Sequence, residues 1–182
     1  MLRKRVLSAV LTALFAALPL IATPAAASAG TTEASVQASL DRELAKRAAI
    51  SPAAVHVCYA VHVADYDWLD TVCDGEEAGV PALGKRIEAI RIGVNGGGAG
   101  VCYTPHVQDI GWFTSESCNL QEAGTTGLAK RLEALKIRGA GTRLCYTAMG
   151  QGYEYQDVRC QNEVVGTVGQ ARYMSGIAIW VA

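Results

Sequence analysis

The residues that could do chemistry in this chain recur at fixed distances. Cysteines stand at Cys58, Cys73, Cys102, Cys118, Cys145 and Cys160, and large aromatics follow ten residues after every first cysteine, at Trp68, Trp112 and Tyr155. His62 and His106 lie between, and two Arg-x-Glu pairs, Arg86 with Glu88 and Arg131 with Glu133, come later. These types could make a thiolate or imidazole metal centre, a pair of glycosidase carboxylates, a disulfide framework, or an aromatic binding surface. Spacing discriminates among them. His62 and His106 hold the same place in successive segments, and Met149 holds it in the third, so a three-histidine centre is not available. His56, His62 and His106 read as hydrogen-bonded strand residues, with no metal ligand among them.

The carboxylates fare no better as catalysts. Glu88 and Glu133 each stand two residues after an arginine, on the same face of a strand, which reads as an intra-strand ion pair; Ser175 breaks the pattern in the third segment. No G-x-S-x-G elbow and no odd cysteine supplies a nucleophile. The stretch Val94-Asn95-Gly96-Gly97-Gly98-Ala99-Gly100 lacks a following Gly-Lys-Ser/Thr and reads as a linker, not a phosphate cradle. The expectation is a non-enzyme without catalytic residues or cofactor. Trp68, Trp112 and Tyr155, with His62, His106 and Arg131, are the candidate binding residues. A large aromatic at one register in every repeat is also how a threefold core is filled, so both readings stand.

The positions are fixed by an internal repeat of about 43 residues, over about 55–94, 99–139 and 142–181. Val57-Cys58-Tyr59-x-x-His62-Val63 returns as Val101-Cys102-Tyr103-x-x-His106-Val107 and, shortened, as Leu144-Cys145-Tyr146. A glycine comes six residues after each second cysteine, at Gly79, Gly124 and Gly166. Each copy thus holds one early and one late cysteine. The economical pairing is within repeats: Cys58 with Cys73, Cys102 with Cys118, Cys145 with Cys160.

Tyr103-x-x-His106-Val107-Gln108-x-x-Gly111-Trp112, followed by Ala123-Gly124-Thr125-Thr126-Gly127 and Arg131-Leu132-Glu133-Ala134-Leu135-Lys136-Ile137, resembles the clostridial hydrophobic W (ChW) repeat. The first copy departs at Asp67 and at Val80-Pro81-Ala82; the third has lost the histidine, the tryptophan and the Arg-x-Glu pair. The resemblance implies an exported or surface protein of a Gram-positive bacterium that binds carbohydrate or protein partners without established chemistry. The cysteines are not part of that motif.

The remaining sequence bounds the fold and the compartment. Arg3-Lys4-Arg5, an apolar run from Val6 to Ala22 and Ala27-Ser28-Ala29 predict a secretory signal peptide over residues 1–29. That segment holds three of the 16 basic residues and none of the 17 acidic ones, leaving a mature net charge of −4. No basic field for nucleic acid and no membrane span in the mature chain are expected. Residues 30–50 predict a leader with a possible short helix, and 51–182 one domain. Leu128, Leu132 and Leu135 carry helical spacing. The strand-like Ile177-Ala178-Ile179-Trp180 at the equivalent third position favours strand there, with a bulge near Ala89-Ile90 and Ala134-Leu135. The fold expected is all-β: three units in a closed pseudo-threefold arrangement, β-prism-like or alternatively β-trefoil-like, with one disulfide each. The function expected is a secreted or cell-surface binding module for an extracellular glycan or surface protein; the alternative is a secreted enzyme inhibitor or effector.

Overall fold

The computed structural model describes residues 32–152 and 154–182; the signal peptide expected at 1–29 lies outside them. Among the described residues one α-helix, α1 (Glu33–Ile50), precedes fourteen strands that fall into three similar sets. The first set is β1 (His56–Val63), β2 (Asp67–Trp68), β3 (Val72–Cys73), β4 (Ala78–Gly79) and β5 (Ile87–Asn95). The second is β6 (Gly100–Val107), β7 (Gly111–Trp112), β8 (Ser117–Cys118), β9 (Ala123–Gly124) and β10 (Leu132–Ala140). The third is β11 (Leu144–Gly150), β12 (Arg159–Cys160), β13 (Val164–Gly166) and β14 (Met174–Val181).

In each set the two long strands pair antiparallel, and β2 with β3, β7 with β8, and β12 fold back along the first of them. This register places Cys58 opposite Cys73, Cys102 opposite Cys118 and Cys145 opposite Cys160. All three pairs are bonded, with Cα atoms 4.1 Å apart. The pairing is the intra-repeat one that the cysteine spacing predicts. Each bridge closes 15 or 16 residues, a loop size for which chain entropy gives on the order of 3 kcal/mol.

The Arg-x-Glu segments are strands, and their helix-like spacing has a structural cause. The ladder slips by one residue between Leu132 and Ala134, leaving Glu133 as the extra residue of a β-bulge. Side chains facing the core are therefore Leu132, Leu135 and Ile137, a step of three and then of two, while Leu128 lies in the preceding turn, 60 % exposed. Glu88 and Ser175 are the bulged residues of β5 and β14. The bulge thus falls on the residue before the Ala-Ile and Ala-Leu pairs named in the sequence.

Each sheet also accepts a strand from another set: β9 joins β5, β13 joins β10, and β4 joins β14. The donated strand ends in the repeated glycine. A Cβ on Gly79, Gly124 or Gly166 would stand 2.3 Å from the carbonyl oxygen of the facing bulge residue, Ser175, Glu88 or Glu133. All three glycines also have positive φ, which a side chain resists.

The main core is lined by the inward residues of the long strands, including Tyr59, Tyr103 and Tyr146. Each phenol links two sets. Tyr59 Oη accepts from Ile179 N (2.9 Å), Tyr103 Oη from Ile92 N (3.0 Å) and Tyr146 Oη from Ile137 N (3.2 Å). Each donates to a carbonyl: Glu76 O, Gln121 O and, for Tyr146, Glu163 O at 2.6 Å. Burial is the main cause raising all three phenols above the ordinary tyrosine range, so they stay protonated donors. The aromatic register Trp68, Trp112 and Tyr155 is not what fills this core.

Helix α1 is 18 residues long and docked, not a loose leader. Thr32 caps it, and Val36, Leu40 and Leu44 form a buried stripe at i, i+4, i+8. The stripe packs on the outer face of the first sheet, making a second small core with Cys58, Ala60, Trp68, Cys73 and Ala89. Gly93 permits the approach: a Cβ there would lie 2.9 Å from Leu44 Cδ1 and 2.3 Å from Leu120 Cδ2. No helix among the described residues is long and apolar enough to cross a membrane.

Candidate functional site

In the second set, β6 carries His106 next to its end, and a turn through Asp109, at φ 60°, and Gly111, at φ 81°, reverses the chain. The returning β7 sets Trp112 directly across from His106. Their rings meet edge to face with centroids 5.2 Å apart. From the other side the bulge turns Glu133 into the same cluster. Its Oε2 lies 3.0 Å from His106 Nδ1, while Oε1 accepts from Arg131 Nε at 2.8 Å and Nη2 at 2.7 Å. Glu133 is only 6 % exposed, so the arginine compensates a charge that burial would otherwise penalise. The intra-strand ion pair read from Arg-x-Glu is present, spanning the bulge.

The first set repeats this cluster with His62, Trp68, Arg86 and Glu88. His62 Nδ1 lies 3.2 Å from Glu88 Oε2, Arg86 donates to Glu88 Oε1 at 2.6 Å and 2.9 Å, and the His62 and Trp68 centroids are 5.6 Å apart. Asp67, where the second copy has Gly111, adopts the same left-handed φ and places Oδ1 3.3 Å from His62 Nε2. In the third set Met149 faces Tyr155 across an isolated bridge, and Ser175 Oγ donates to Met149 O at 3.3 Å. The geometry persists where the chemistry has gone. His56, the remaining histidine, sits 2.8 Å from Asp74 Oδ2 at the start of β1.

Six residues were candidates from sequence. The structure unites His106, Trp112 and Arg131 around Glu133, unites His62 and Trp68 around Glu88, and leaves Tyr155 apart, 48 % exposed. Two cations were not among these candidates. The Lys136 ammonium sits 4.5 Å from the Trp112 ring centroid and the Arg91 guanidinium 5.4 Å from that of Trp68. Both stand three residues after the bulge glutamate, so the repeat itself held the signal.

Exposure separates the copies. Trp68 is 5 % exposed beneath α1, whereas Trp112 is half-buried on an uncovered face. Glu133 also reaches the wall of a cleft of about 620 Å³ that is lined otherwise by the third set, Tyr155, Gln156, Arg159, Arg172 and Tyr173 among them. A smaller depression of about 290 Å³ gathers Lys85, Arg86, Arg131 and Tyr173. Cys102, Glu116 and Cys118 lie within ligand distance of one another, but both sulfurs are consumed by the disulfide.

No curated protein and no solved structure matches the chain significantly. The family model described as Clostridial hydrophobic W matches residues 62–96 and 106–139. Each match opens on a cluster histidine and closes at or within one residue of the long strand bearing the bulge glutamate; the third set, which has no histidine, tryptophan or Arg-x-Glu at the equivalent positions, is not matched. With two successive copies of that pattern, the chain belongs to the clostridial hydrophobic W (ChW) family.

Proposed function

We propose that this protein is an exported, non-catalytic binding module that acts outside the cell or at its surface, and that its ligand is a glycan. The observation that carries this reading is the cluster around Trp112: a partly exposed indole packed edge to face on His106, which a buried Glu133 and its partner Arg131 hold, on a sheet face that α1 leaves open. Aromatic surfaces held in one orientation lose little entropy when a ring stacks on them. Catalysis by Glu133 is disfavoured by its partners, since Oε1 is taken by arginine and Oε2 faces imidazole. Three closed disulfides suit an oxidising compartment. The strand exchange from each set to another, with the tyrosine links that follow it, supports a closed pseudo-threefold body of β-prism type. Probing a glycan array with the oxidised protein tests the reading. Retention on a restricted set of saccharides is expected; capture of none, with activity as a protease or glycosidase inhibitor instead, would favour the effector alternative.

A further inference from the structure

The first and second sets present the same outer face but differ in how its cation is neutralised. In the first, Arg91 over Trp68 is met by Glu33 of α1 and by Glu122 Oε2 at 3.3 Å, and α1 covers the face. In the second, Lys136 takes the place of Arg91. The residue equivalent to Glu122, just before the donated strand's Ala-Gly or Val-Gly, is Val164, 38 % exposed and directly across from Lys136. No carboxylate of the described residues lies within 4.0 Å of Lys136, and α1 packs on the first sheet. In the third, Ala178 stands where the cation would be. Among the described residues the second face alone therefore combines a partly exposed tryptophan with an ammonium lacking its anion.

Resting on the glycan reading above, we propose that this face binds an acidic saccharide, its ring stacking on Trp112 and its carboxylate pairing with Lys136. The first set shows the occupant's chemistry in cis, because α1 brings a carboxylate to Arg91 and apolar side chains beside Trp68. A helix is the poorer occupant of the second face. Arg138, bound to Glu116 at 2.9 Å, replaces the Gly93 that lets Leu44 approach. Thr104 replaces Ala60 on the neighbouring strand. The face is polar and open, as a sugar requires.

The test is calorimetric titration of the oxidised chain with tetragalacturonate and with the neutral galactose tetramer. The acidic tetramer should bind roughly fivefold tighter, the range of a solvent-accessible ion pair, and the advantage should shrink with salt. Lys136→Gln should abolish the advantage. Val164→Glu, which installs the carboxylate that Arg91 already has, should abolish it too without altering a core residue. Equal affinity for the two tetramers, lost in Trp112→Ala, would overturn the role of Lys136 and leave the glycan reading intact. An acidic preference surviving Lys136→Gln would also overturn it. Failure of both tetramers to bind would overturn this proposal, with the array deciding the broader reading separately.

Discussion

At the scale of the residue, the buried Glu133 shows how much a site depends on compensation. Removing it as Glu133→Ala leaves Arg131 and His106 without their anion. Arg131 retains some access to water, its side chain 20 % exposed, so the cost should fall below that of a fully buried pair, at about 2 kcal/mol. The third set carries Met149, Tyr173 and Ser175 at the equivalent places and keeps the same bulge. Replacing the group together, as His106→Met, Arg131→Tyr and Glu133→Ser, should therefore destabilise less than Glu133→Ala alone. Chemical denaturation of both variants measures this. Strict additivity would contradict the view that these residues act as one unit. The cluster was half legible in sequence: the repeat aligned His106, Trp112 and Arg131, but which group joined them depended on a bulge that no single residue announces.

Elements explain the rest of that gap. Leu132 and Leu135 imitate a helical period because one extra residue enters the strand between them, so the strand assignment had to rest on the third copy. Cysteine register was legible, because opposite residues on paired strands are the natural place for a bridge. The tyrosines Tyr59, Tyr103 and Tyr146 recur beside the first cysteines, yet their partners belong to other sets and could not be read from local pattern. Docking of α1 was hidden for a similar reason, since its fit depends on Gly93, far along the chain. Two outcomes follow. Gly124→Ala would press a Cβ against Glu88 O and Ala89 Cα in a left-handed backbone, and should cost at least about 2 kcal/mol, read as a lower thermal midpoint. Leu40→Ala should cost about 2 to 4 kcal/mol, with Trp68 fluorescence shifting to the red as water reaches the indole; an unshifted spectrum would contradict the helix's role as cover.

For the whole molecule, three bridges, exchanged strands and phenol links each tie one set to itself or to another, and a single opened bridge tests how they share the load. Replacing Cys102 and Cys118 by serine should cost about 3 kcal/mol and lower the thermal midpoint without loss of the β spectrum. On the proposed glycan-binding reading, the asymmetry among the sets points to the second face: the first is covered by α1, the third has neither the register tryptophan nor the cation, and the second remains open. Trp112→Ala tests this most directly when binding and stability are measured on the same preparation. The account predicts loss of glycan retention per folded molecule, roughly tenfold or more in Kd for a lost stacking contact, with a thermal midpoint lowered only slightly because Trp112 lies outside the main core. Unchanged retention per folded molecule, accompanied by a large fall in thermal midpoint, would contradict it.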